Sequence, residues 1–150
     1  MIKVLFVCLG NICRSPMAEF LLKDMVKKRN IEDKFIIESA GTSNEEEGNP
    51  VHYGTKRKLS ELGISTDGKY ARKLVKNDYE KYDYILAMEE RNVKDAIKIL
   101  GGDTENKVNR LLDFSKNPRD IADPWYTGNF DETYNDIMEG LEAFLKYLNI

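Results

Sequence analysis

Four short apolar runs, at residues 4–9, 35–40, 82–88 and 108–114, are separated by stretches in which apolar residues recur every three or four positions. Runs of that length read as strands and the intervening patterns as helices, so strand and helix alternate along the chain. Alternation of this kind folds as a parallel sheet with helical crossovers. In the first helical stretch Met17, Ala18, Leu21, Leu22, Met25 and Val26 share one face, and Glu19, Lys23, Asp24, Lys27 and Lys28 take the other. Ser15 and Pro16 suit its N-cap and first helical position. A weaker helix is expected over 51–62, stopping at Gly63, and a third carries Val93, Ala96, Ile97 and Leu100 before Gly101-Gly102. The last is the clearest: Tyr134, Ile137, Met138, Leu141, Phe144, Leu145 and Leu148 form one stripe, with Asp131 and Glu132 favouring its N-terminus.

In such a sheet every strand ends on the same edge, where ligands of these folds bind. Four loops therefore become neighbours: 9–15, 41–50, 89–92 and 115–129. With 150 residues, 41% of them hydrophobic, the chain is expected to be one domain, 1–150, with a core that needs neither disulfides nor structural metal. Its formal charge of −3 offers no basic footprint for nucleic acid or anionic lipid. The run at 4–9 is too short to cross a membrane or to serve as a signal-peptide core. Two cysteines and one histidine are too few for a secreted disulfide scaffold or an ordinary zinc site, so the reducing cytoplasm is the expected compartment.

The loop after the first strand reads Cys8-Leu9-Gly10-Asn11-Ile12-Cys13-Arg14-Ser15-Pro16. It joins a buried strand to a helix N-terminus, so its backbone N–H groups and the positive end of the helix dipole converge as an anion site. Gly10 and Asn11 supply the backbone freedom to curl those amides inward. Arg14 adds a planar fork matched to two phosphate oxygens. At a helix start beside a guanidinium, Cys8 is placed as a thiolate nucleophile, with Ser15 as a hydrogen-bond donor to its sulfur. Cys13 immediately precedes Arg14 and leaves no loop to encircle a phosphate. A cation at the positive end of a helix calls for a bound anion, which is the reading given to Arg14.

These residues resemble the Cys-five-residues-Arg-Ser signature of the low-molecular-weight protein-tyrosine phosphatases, with Cys8, Arg14 and Ser15 in its positions. The likeness extends to Ser39-Ala40-Gly41, Asp83-Tyr84-Ile85-Leu86 and Asp123-Pro124. It implies a three-layer α/β fold, a four-stranded parallel sheet of order 2-1-3-4 with helices on both faces. It implies Cys8, Arg14 and Asp123 as catalytic residues, and a phosphate loop of Leu9, Gly10, Asn11, Ile12, Cys13 and Arg14. Leu9, Ile12, Trp125 and Tyr126 would be substrate walls, and Ser15, Asn11 and Ser39 supports. Relatives acting on phosphoarginine carry a smaller polar residue where this chain has Ile12, so Ile12 favours tyrosine. Expulsion of a phenolate, whose conjugate acid has a pKa of about 10, gives the general acid Asp123 its purpose. Tyrosine-phosphorylated proteins are the implied partners and inorganic phosphate the product, with no cofactor, no metal, no nucleic acid and no membrane. A monomer or weak homodimer is expected.

Three features depart from the family's usual wording. Asn44-Glu45-Glu46-Glu47 replaces a loop often bearing an aromatic residue, Glu89 stands where aspartate is frequent, and Trp125-Tyr126 replaces a tyrosine pair. If the glutamates rim the pocket, they would repel acidic substrate flanks. Cys8 and Cys13, five apart on a curled loop, are also expected as a redox pair. His52 reads as structural or solvent-facing. The competing functions are an arsenate reductase, which would need further cysteines that do not follow Cys13, a phosphoarginine phosphatase, and a non-enzymatic phosphate-binding module.

Overall fold

A computed structural model describes residues 1–150. Its sheet has four parallel strands, β1 (Ile2–Cys8), β2 (Phe35–Gly41), β3 (Tyr84–Ala87) and β4 (Val108–Arg110), in the order β2-β1-β3-β4. The helices are α1 (Arg14–Lys28), α2 (Tyr53–Glu61), α3 (Asp78–Lys81), α4 (Glu90–Leu100), α5 (Pro124–Thr127) and α6 (Phe130–Tyr147). Central β1 is apolar from Val4 to Cys8 because it is covered on both faces. Val4, Phe6 and Cys8 pack with residues of α1 and α6, whereas Leu5 and Val7 pack with Ala96 and Leu100 of α4. The period-2 alternation of a strand thus divides the core into two, and the fold into the expected three layers.

Helix ends follow local chemistry. Asn30, in the left-handed region at φ 57°, turns the chain out of α1, and Gly101, at φ 83°, ends α4. Asn129 caps α6 by accepting from the Glu132 N–H at 2.9 Å. Gly140 allows α6 to lie against the turn at Leu111–Phe114: a Cβ there would sit 2.5 Å from Leu111 Cγ.

Several boundaries differ from the sequence expectation. The fourth strand stops at Arg110, and Leu111–Phe114 is a 3₁₀ turn that Asp113 closes by accepting from the Arg110 N–H at 2.9 Å and Nε at 3.0 Å. A turn buries Leu111 and Leu112 together, which the alternation of a strand would not. The third strand begins at Tyr84, because residues 78–81 wind into α3 and Tyr82 drops into the core beside it. The first helix starts at Arg14 with Cys13 as an N-cap lacking a side-chain bond, so Ser15 caps nothing. The expected loop 115–129 contains α5. His52 caps α2, its Nδ1 accepting from the Gly54 N–H at 3.0 Å, and its ring stacks on Phe130, a structural role.

Candidate active site

The C-terminal ends of β1 and β2 bring residues 9–15 and 41–50 together at the sheet edge, and the segment following β4 returns to the same edge. Gly41 is required there, since a Cβ would lie 2.8 Å from the Leu9 carbonyl oxygen. A pocket of about 150 Å³ opens at this edge, lined by Cys8, Leu9, Gly10, Ile12, Cys13, Arg14, Asp123, Trp125 and Tyr126. Ser43, Glu45 and Glu46 complete its lining. Glu47 points elsewhere, accepting from the Lys73 N–H.

Cys8 Sγ accepts the Asn11 N–H at 3.3 Å and lies 3.0 Å from Ser15 Oγ. Ser15 Oγ already accepts from Asn11 Nδ2 at 2.8 Å, which leaves its own proton for the sulfur. Asn11, not Gly10, carries the left-handed turn of the loop, at φ 60°. Three side-chain bonds offset that strain: Asn11 Nδ2 donates to Ser15 Oγ and to Ser39 Oγ (2.9 Å), and Oδ1 accepts from the Arg72 N–H (3.0 Å). Gly10 matters for space instead, because a Cβ there would meet Glu46 Cγ at 3.3 Å. Asn11, Ser15 and Ser39 therefore lie buried beneath the loop and outside the pocket lining.

The support extends to a residue that the helical pattern assigns to the exposed face of α1. Glu19 is buried, accepting from Ser39 Oγ at 2.5 Å and pairing with Lys69 (2.9 Å) and Lys23 (2.6 Å). A signal for this lies in the helical spacing, since position 19 follows Ser15 by one turn and shares a face with Leu22 and Val26.

Arg14 is 1% exposed, with three of its five N–H donors engaged: Nη1 donates to the Ile121 carbonyl at 2.9 Å, and Nη2 to Glu89 (3.0 Å) and Asp123 (3.3 Å). This corrects the expectation that only a bound anion could explain a cation at the helix start. Two carboxylates from other loops hold it, and sequence spacing carries no signal for Glu89 in that role. Asp123 also caps α5, its Oδ1 accepting the Trp125 N–H at 3.0 Å. Trp125 and Tyr126 are 57% and 80% exposed, so their side chains stand at the mouth and are not packed under the loop. His52, bonded by its N–H to the Ile12 carbonyl, braces Trp125 from behind with ring centroids 5.4 Å apart. Both cysteines are free. Burial, then the negative charges of Cys8 and Asp123, push the Cys13 thiol up to about 12, against the opposing pull of Arg14.

Known proteins share both this sequence and this geometry. The family model for low molecular weight phosphotyrosine protein phosphatases matches residues 3–150. The low molecular weight protein-tyrosine-phosphatase YfkJ of Bacillus subtilis is 44% identical over 147 residues, covering 97% of this chain and 94% of the relative. The crystal structure of YfkJ superposes with a TM-score of 0.95 at 42% identity, over 99% of this chain and 95% of that one. PtpA of Staphylococcus aureus, of the same description, is 38% identical over 149 residues, covering 99% of this chain and 94% of PtpA. A Drosophila arginine phosphatase matches with a TM-score of 0.89 at 32% identity, over 99% of each chain.

Proposed function

The chain belongs to the low molecular weight phosphotyrosine protein phosphatases, and from that membership we propose that Cys8, Arg14 and Asp123 carry its reaction. The observation behind the assignment is that one small pocket gathers a hydrogen-bonded sulfur, a guanidinium and a carboxyl from loops far apart in sequence. Cys8 attacks phosphorus in line as the thiolate, forming an S–P bond while the P–O bond to tyrosine breaks. Arg14 and the backbone amides of Leu9, Gly10, Asn11, Ile12 and Cys13 hold the equatorial oxygens. Asp123 gives its proton to the leaving phenolate oxygen. It then takes a proton from the water that cleaves the S–P bond, releasing inorganic phosphate and returning the thiolate, to which Ser15 donates. Every group this route uses is supplied by the chain, so the route needs no metal or organic cofactor.

Leu9, Ile12, Trp125 and Tyr126 offer apolar and aromatic faces to a phenyl ring, with phosphorylated proteins as substrates. Asn11 and Ser39 hold the loop. Residues 1–150 act as one phosphatase domain, as a monomer or weak homodimer, in the cytoplasm, where an unbridged catalytic thiol persists. A substrate panel tests the reading: phosphotyrosine peptides should be hydrolysed well, phosphoserine and phosphoarginine peptides poorly, and arsenate should not be reduced with thiol. Preferential turnover of phosphoarginine, or arsenate reduction, would replace it.

Cys13 is a redox guard in this scheme. Peroxide takes two electrons from the Cys8 thiolate, giving a sulfenic acid; the Cys13 sulfur displaces its hydroxide to form a disulfide, and an added dithiol reduces it. Because burial pushes the Cys13 thiol up, its reactive thiolate is scarce at neutral pH, and ring closure should accelerate as pH rises. After excess peroxide the wild type, held as the disulfide, should recover with dithiol, whereas Cys13→Ser, whose sulfenic acid goes on to the irreversible sulfinic acid, should not. Equal recovery of both would end this role.

A further inference from the structure

The pocket is built for a dianion, yet its lining holds one cation against three carboxylates. Arg14 is the cation, and Glu45, Glu46 and Asp123 oppose it. Arg14 is itself shared with Glu89 and Asp123. Glu45 and Glu46 have no cationic partner, and the carboxylate of Glu45 makes no hydrogen bond. Glu46 is fixed in place: its Oε2 accepts from Asn49 Nδ2 at 2.6 Å, and its Cγ lies close over Gly10 in the phosphate loop. Its charge reaches the interior, adding to the upward push on the Cys13 thiol.

Lys56 and Arg57 on α2 do not relieve this imbalance, because neither lines the pocket. Arg57 faces a separate cleft with His52 and Phe130. Two unpaired carboxylates at the mouth of an anion site lower the affinity for any bare phosphate ester. They become favourable only when the substrate brings positive charge beside its phosphate.

Resting on the phosphatase reading, we propose that Glu45 and Glu46 are specificity residues that select phosphotyrosines flanked by lysine or arginine. As the phosphoryl group enters toward Cys8, a neighbouring ammonium or guanidinium settles on the rim carboxylates, and a neighbouring carboxylate is repelled. The contact is partly solvated, so it favours encounter and binding and is weakened by salt.

The test uses three phosphotyrosine peptides differing only in the residues on either side of the phosphotyrosine, which are Lys, Ala or Glu. The wild-type protein is compared with the Glu45→Gln/Glu46→Gln double variant, in which the side-chain amide oxygen at position 46 would still accept from Asn49. For the wild type at low ionic strength, kcat/KM should fall from Lys to Ala to Glu, about tenfold from first to last. The span should shrink to about twofold in the double variant, and in the wild type at high salt. A wild type indifferent to the flanks or preferring Glu, or a span unchanged in the double variant, overturns the proposal. Failure to hydrolyse even the Ala peptide would instead overturn the phosphatase reading, so the two failures are separable.

Discussion

Cys8→Ser is expected to abolish turnover of aryl phosphates and phosphotyrosine, by about 10⁴-fold or more. A serine hydroxyl is un-ionised at neutral pH, and no other nucleophile lies at the pocket floor: the neighbouring Cys13 thiol is held protonated by burial. The substitution keeps the rest of the site. A serine oxygen can still accept from the Asn11 N–H and meet Ser15 Oγ, so the loop should retain its shape and its affinity for oxyanions. The variant should therefore be inactive while phosphate still raises its Tm. Activity that survives, with phosphate binding intact, would mean another group attacks phosphorus.

Asp123→Ala should lower kcat for phosphotyrosine by about 10²- to 10⁴-fold, and by much less for a nitrophenyl ester, whose leaving group departs without a proton. Two structural roles complicate this variant. Asp123 caps α5 through the Trp125 N–H, and losing a cap costs about 1 kcal/mol. It also draws on Arg14 Nη2. Asp123→Asn separates the roles, because an amide caps as well as a carboxylate but cannot supply the proton. Both variants should show the same loss of kcat, and only Ala should lose the cap. Equal losses with both leaving groups would indicate that Asp123 positions Arg14 and does not transfer a proton.

The strands and their shared edge were legible because a buried parallel strand must be apolar on both faces, as Val4, Leu5, Phe6 and Val7 are. The loop 8–16 was legible because its residues are contiguous. What escaped were contacts between distant segments. The parallel topology brings the loops bearing Arg14, Glu89 and Ile121 to one edge, but nothing in their spacing foretells which of their groups pair. Glu19 looks like a surface carboxylate until Ser39 and Lys69 arrive from other elements. The apolar run at 108–114 extends past the fourth strand because a continuous apolar run cannot distinguish a strand from a buried 3₁₀ turn, and the Arg110–Asp113 bonds that decide the matter involve polar side chains.

The tethering of Arg14 has a consequence for synthesis. Its three partners lie 75, 107 and 109 residues downstream, so the chain must be made as far as Asp123 before the guanidinium can be enclosed. Until then the nascent chain carries Cys8 without the guanidinium fixed beside it.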